Sequence, residues 1–211
     1  MTVGIIDYGV GNLGSVFRAL ESIDHKAKII HKPSELNGLT KVILPGVGNF
    51  TDCKKLLDNS GWSDSLKKNV LDYGLPMLGI CVGMQLLADY GDEGSINQEY
   101  TLGLGFIPGC VKSLKDLGCK ERVPHMGWNS VVPSTNNGLF ASIPKDTDFY
   151  FVHSYAFVPK FKESIQAITS HSIEIVAGIQ KDNIFGTQFH PEKSSKAGLT
   201  VIKNFLDCPQ C

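Results

Sequence analysis

The chain has 211 residues, 42% hydrophobic and 19% charged, enough for one sizeable core with ordinary globular usage. A formal net charge of −1 gives no electrostatic reason to expect nucleic acid or an anionic membrane as a partner. No apolar run approaches the ~18 residues that span a bilayer. Val3–Ile6 already reads as a buried strand where a secretory signal would have a basic start, so a cytoplasmic protein is expected.

In chain order, Val3–Ile6, Ala27–Ile30, Val42–Leu44 and Met77–Ile80 are short apolar runs. Helical-period segments separate them at Leu13–Ser22, Asp52–Asp58 and Ser65–Tyr73, with another expected directly after Cys81. Strands alternating with helices predict a parallel, doubly wound sheet. Asp89–Gly103, glycine-rich and acidic, is the longest expected loop. Beyond it the pattern becomes strands separated by turns: Phe106–Leu114, Asn129–Val132, Phe149–Phe157, Ile165–Thr169, Ile175–Gln180 and Ile184–Phe189. This half is expected to be antiparallel, closing with a helix over Lys196–Leu206. The expectation is a single α/β domain over residues 1–211, with a mostly parallel central sheet flanked by helices and added antiparallel strands.

Two motifs invite readings that the chain does not support. Gly9-x-Gly11-x-x-Gly14 follows the first strand like a dinucleotide fingerprint. The second strand, however, ends in Ile30-His31-Lys32 without the carboxylate that would hold a ribose, so a plain glycine-rich turn and no cofactor are expected. Cys208-Pro-Gln-Cys211 has zinc-type spacing but no second ligand pair nearby, so a chain-end tail and no metal are expected. The six cysteines are scattered and are read as reduced thiols.

The most informative stretch is Gly79-Ile80-Cys81-Val82-Gly83-Met84-Gln85, where an apolar strand runs into a helix-like segment. Gly-x-Cys-x-Gly at such a junction is the pattern of a nucleophile elbow, a sharp turn that presents one reactive side chain above a sheet. A buried core cysteine beside turn glycines is the plainer alternative. Far downstream stands Phe189-His190-Pro191-Glu192. If the backbone stays extended through Pro191, His190 and Glu192 share a face, giving a base oriented by a carboxylate. Cys81, His190 and Glu192 are the candidate catalytic triad.

These two motifs resemble the class I, triad-type glutamine amidotransferases. Further segments are similar to one branch of that family, the glutaminase subunits of imidazole glycerol phosphate synthases: Ile5-Ile6-Asp7-Tyr8-Gly9-Val10-Gly11-Asn12-Leu13, Leu44-Pro45-Gly46-Val47-Gly48, Pro124-His125-Met126-Gly127-Trp128-Asn129 and Tyr150-Phe151-Val152-His153-Ser154-Tyr155. The likeness runs from Gly4 to Leu206. It implies glutamine hydrolysis in a heterodimer with a (β/α)₈-barrel cyclase of histidine biosynthesis, which uses the ammonia to form imidazole glycerol phosphate and AICAR.

The resemblance also implies that Gly48, Val82, Gln85 and Glu93 bind substrate, and that the Gly46-Val47-Gly48 loop supplies an oxyanion N–H alongside that of Val82. Glu93 has a physical rationale, since a carboxylate pairs with the α-ammonium group; a solvated loop acid is its plain reading. Trp128, Asn129, Tyr150 and Lys193 match partner-facing positions, although Trp128 read unaided is a core residue. Val82 stands where the family more often has leucine, which leaves room for a paralogous glutaminase supplying ammonia for a surface-polysaccharide amino sugar. A thiol hydrolase or non-catalytic domain of the same fold is the reading from another class, and Gln85, Glu93 and Pro191-Glu192 count against it.

Overall fold

The computed structural model describes residues 2–95 and 99–208. The parallel half follows the sequence closely. Strands β1 (Val3–Ile6), β2 (Ala27–Ile30), β3 (Lys41–Gly46) and β4 (Met77–Cys81) alternate with α1 (Leu13–Glu21), α2 (Phe50–Asn59) and α3 (Trp62–Leu66), which continues as a π turn over Lys67–Asp72. β1, β3 and β4 are buried along their whole length. That is what continuous apolar runs become when helices cover both faces of a parallel sheet. α1 buries Val16, Ala19 and Leu20, the i, i+3, i+4 stripe that made it legible. α2 starts two residues earlier than expected because Asn49 caps it, its side-chain oxygen accepting from Asp52 N at 2.8 Å.

The helix after Cys81 is a single turn, α4 (Val82–Gln85). The expected long loop contains two short strands, β5 (Tyr90–Gly91) and β6 (Thr101–Leu102), and residues 96–98 within it lie outside the described residues. Next come β7 (Gly109–Ser113), β8 (His125–Pro133), β9 (Thr147–His153), β10 (Tyr155–Pro159), β11 (Ile165–Ser170), β12 (Glu174–Lys181), β13 (Ile184–Thr187) and α5 (Ser195–Asp207). One sheet has the order β2-β1-β3-β4-β13-β12-β11-β8-β9, and a smaller one β10-β7-β5-β6. The large sheet is parallel from β2 to β13 and antiparallel from β13 to β9.

Two strand expectations fail here. Phe149–Phe157 is not one strand: it breaks at Ser154, and its halves pair in different sheets. Apolar residues flank His153-Ser154 closely on both sides because each half buries side chains in its own layer. The strand expected from Phe106 begins only at Gly109, with Phe106 and Ile107 buried in a turn tied to Leu87 O. The main packed core runs from Val3 to Leu206, with a small separate cluster around Leu114, Ala156 and Ile175.

Candidate active site

β4 and β13 lie side by side at the centre of the large sheet, so their C-terminal ends meet. Cys81 closes β4 at φ 56° and ψ −111°, a left-handed conformation rare for a residue with a Cβ. The neighbouring backbone imposes it. A Cβ on Gly79 would meet the Gly83 carbonyl oxygen at 2.5 Å, and one on Gly83 would run into the Leu44 carbonyl oxygen. The two glycines are required by this close approach and not by positive φ, so the strain of the turn falls on the cysteine between them. The expected elbow is present.

His190 follows the end of β13, but by a different route from the one its motif suggested. β13 stops at Thr187, and Pro191–Lys193 forms a 3₁₀ turn. Glu192 reaches His190 by curling back, not along an extended strand. Proline suits the first position of such a turn, since its fixed φ is helical and no N–H is lost. His190 Nδ1 lies 2.9 Å from Glu192 Oε1, and both side chains are buried. With Nδ1–H donating to the carboxylate, the opposite ring nitrogen is left for Cys81, the other side-chain partner of this imidazole. Burial disfavours the imidazolium. The hydrogen bonds to Cys81 and Glu192 and their charges outweigh it, raising His190 to about 9.

Sequence reasoning missed what holds this turn. Ser194, fully buried, donates its hydroxyl to His190 O at 2.7 Å and accepts from Tyr150 N at 3.0 Å, while His190 N donates to Tyr150 O at 2.9 Å. Serine four residues after the histidine was the available signal.

Cys81 and His190 open into a cleft of about 320 Å³ that Val47, Gly48, Val82, Gln85 and Glu93 also line. All five are residues singled out by sequence. Glu93 is anchored on α2: its carboxylate accepts Phe50 N at 3.2 Å and its carbonyl accepts Thr51 N at 3.0 Å. Burial raises its carboxyl to about 7 against the opposing Phe50 N–H, with Asp92 adding to the rise. Gln85 is buried, donating through Nε2 to Tyr155 O at 2.9 Å and to Gln188 Oε1 at 3.0 Å, while its own Oε1 has no partner among the described residues.

Gly46 pairs in register with Cys81 across β3 and β4 and packs against the Gly83 amide, and Gly48 sits at φ 109°. The Val47 carbonyl accepts from Cys53 Sγ at 3.4 Å. Trans peptide geometry then sends the Gly48 N–H the opposite way. Cys53 is a second buried thiol, which burial pushes up to about 11.

The proposed partner-facing residues divide. Trp128 is 54% exposed and therefore not core. It stands opposite Tyr150 in the β8–β9 register, edge-on at 6.1 Å between ring centroids, and Lys193 Nζ lies 5.9 Å from the Tyr150 ring centroid. Met126, two residues along β8 and also exposed, joins this face. Asn129 does not, because strand alternation turns it to the other side, where it donates to Ser170 O at 2.8 Å and contacts His125 Nε2 at 3.0 Å.

In the glycine-rich turn after β1, Gly9 and Gly11 take positive φ of 98° and 127°, and a Cβ on Gly11 would lie 3.2 Å from the Pro45 ring. Among the described residues, no group of three His, Cys, Asp or Glu side chains is arranged to hold a metal ion, and no helix is long and apolar enough to cross a membrane. Cys211 lies outside the described residues, so its pairing with Cys208 does not enter the structure.

Comparison with known proteins accounts for this arrangement. The family model "Glutamine amidotransferase class-I" matches residues 4–208. The "Imidazole glycerol phosphate synthase subunit HisH" of Moorella thermoacetica is 45% identical over 203 residues, covering 96% of this chain and 93% of its own. That of Pelagibacter ubique is 41% identical, covering 98% and 100%. The solved structure of PurLQS from Thermotoga maritima shares the fold at a TM-score of 0.76, with 16% identity over 98% of this chain and 97% of its own. A cysteine elbow facing a histidine–carboxylate pair, with a family match over nearly the whole length, places the chain in the class-I glutamine amidotransferase family, among its HisH relatives.

Proposed function

We propose that the chain hydrolyses glutamine through Cys81, His190 and Glu192 and passes the ammonia to a (β/α)₈-barrel cyclase that makes imidazole glycerol phosphate and AICAR in histidine biosynthesis. The observation that carries the chemistry is the convergence of Cys81, His190, Gln85 and Glu93 on one cleft, with Glu192 bonded to His190 from behind. The names of the relatives support the pathway and partner.

Glutamine's amide is a poor electrophile, so attack requires thiolate. Cys81 Sγ bonds to the side-chain carbonyl carbon, and the charge moves to the oxygen. The N–H of Val82 and one from Gly46-Val47-Gly48 stabilise this oxyanion. His190 delivers a proton to the departing ammonia, the C–N bond breaks and a thioester remains. Water then gives its proton to His190 and attacks the thioester, releasing glutamate and restoring the sulfur. Glu192 holds His190 in its tautomer throughout. Glu93 meets the substrate's α-ammonium group. Trp128, Tyr150 and Lys193 face the cyclase next to Val152, which lines the cleft and whose carbonyl lies 3.9 Å from Cys81 Sγ.

The test compares glutamate release by the chain alone, with a histidine-pathway cyclase, and with cyclase plus acceptor nucleotide. The solitary chain is expected to be slow and the full complex fast, because a glycine-flanked oxyanion peptide is readily turned into or out of position. A solitary chain at full rate refutes gating. A cyclase that neither binds nor activates moves the assignment to a sugar-amidating paralogue.

A further inference from the structure

We propose that Gln188 is a functional part of this site, holding an N–H donor against the Cys81 sulfur while fixing the amide of Gln85 for substrate binding. This rests on Cys81 being the nucleophile, and deepens that reading. Gln188 follows β13 directly, its backbone N donating to Ala177 O on β12 at 2.9 Å, and its side chain is wholly excluded from solvent. An amide removed from water needs partners at both ends. It has them: Nε2 is 3.8 Å from Cys81 Sγ, and Oε1 accepts from Gln85 Nε2 at 3.0 Å.

The direction of this chain is fixed by the backbone. The Tyr155 carbonyl can only accept, so the Gln85 atom 2.9 Å away from it must be the NH₂ group. The second hydrogen of that group goes to Gln188, which must therefore present its oxygen to Gln85 and its own NH₂ to the sulfur. Reversing either amide would set two acceptors or two donors against each other.

Two consequences follow. The sulfur faces an N–H donor, a contact that positions it. Gln85 Oε1 is left as a buried acceptor without a partner among the described residues, in a residue that lines the cleft, suited to an N–H of the bound amino acid. One chain of amides thus sets both the nucleophile and a substrate contact.

The titratable groups around Cys81 include His190, its hydrogen-bond partner; Tyr8 after β1 and Cys53 on α2; and Glu93, His153 and Tyr155 in the cleft wall. All are common to wild type and variants, so the difference between them isolates Gln188. The experiment follows the rate of iodoacetamide alkylation of Cys81, mapped by mass spectrometry, at one fixed pH. Turnover, glutamine KM and thermal melting are measured in wild type, Gln188→Met and Gln188→Glu.

Gln188→Met is expected to be alkylated about tenfold more slowly because the sulfur loses the donor that positions it, with kcat reduced and KM raised because Gln85 is no longer held. Gln188→Glu keeps an acceptor for Gln85 but sets oxygen against sulfur, so kcat falls with KM near wild type. A measurement on the wild type stands independently of folding: the Gln188 side-chain amide NMR signal should move when Cys81 is alkylated. A folded Gln188→Met with the wild-type alkylation rate and kcat, or an amide signal that does not move, overturns the proposal. A glutamine-analogue electrophile that labels a residue other than Cys81 overturns the nucleophile assignment instead.

Discussion

Replacing Glu93 with glutamine separates substrate binding from chemistry. Its carboxyl stands near 7 in the empty cleft, raised by burial against the Phe50 N–H and raised further by Asp92. It must be ionised to meet the α-ammonium of glutamine. At pH 6 roughly a tenth of the free protein carries that charge, against half at pH 7, so KM should be about five- to sixfold higher at pH 6. His190, at about 9, sets the opposite limb, since above that value the ring no longer carries the proton that ammonia takes with it. The profile of kcat/KM should therefore rise through about 7 and fall through about 9.

Glu93→Gln keeps the shape and loses the charge. Removing a charge-assisted hydrogen bond of about 1.5–3 kcal/mol raises KM roughly 10- to 100-fold with kcat little changed. The acid limb of kcat/KM should flatten while the alkaline limb stays. The assay is glutamate release at saturating and limiting glutamine across the pH range. An acid limb that survives unaltered in Glu93→Gln assigns it to another group and refutes the ammonium contact.

Two further outcomes follow from the geometry. Cys81→Ala should retain the fold and lose glutamine hydrolysis. A glutamine-analogue electrophile should label Cys81 alone, because burial keeps Cys53, the other cysteine beside the cleft, a neutral thiol; label at Cys53 by peptide mapping would contradict this. Glu192→Gln should lower turnover less than His190→Ala, with glutamine KM nearly unchanged. It leaves the proton-transferring ring in place and weakens only its orientation; equal losses would give Glu192 a direct part in proton transfer.

What the sequence conveyed follows from how local each signal is. The parallel strands were legible because burial on both faces leaves uninterrupted apolar runs, and Cys81 because Gly79 and Gly83 sit where side chains would strike backbone. The His190–Glu192 pair was legible as a pair, but its turn was not. Proline is compatible with both an extended strand and the first residue of a 3₁₀ turn, and Ser194, which decides between them, acts through a contact to Tyr150 distant in sequence. The break at Ser154 was hidden because nothing local marks which sheet an apolar residue will enter. Gln188 was hidden for the opposite reason: one polar side chain after Thr187 carries no pattern, and its partners come from α4 and the end of β4.

The same break anchors a second polar chain, and its titration gives a last test. His153 Nδ1 donates to Tyr155 O at 2.8 Å, so its Nε2 must accept from His125 Nδ1, 2.9 Å away, and His125 Nε2 accepts from Asn129. Burial, with His171 adding to it, lowers His125 to about 4; burial lowers His153 to about 3 against the bond to Tyr155 O, with neighbouring histidines adding to the fall. These values lie below the ~6.5 of an unfolded chain, which therefore binds protons first on acidification. The stability the pair contributes is present above about 6.5 and is lost as pH falls towards 4 and 3. At pH 5 each histidine costs about 2 kcal/mol. Glu93, raised in the folded state, acts in the opposite sense between about 7 and its unfolded value, so the curve for one protein alone does not isolate the histidines. The difference between wild type and His125→Gln does, because everything else titrates in both. Between pH 7 and 5 the wild type should lose about 2 kcal/mol more than the variant, some 4–8 °C in melting temperature for a chain of this size. Melting curves that stay parallel across that range would show that His125 accepts a proton in the folded protein without cost, and the fixed tautomers would not stand.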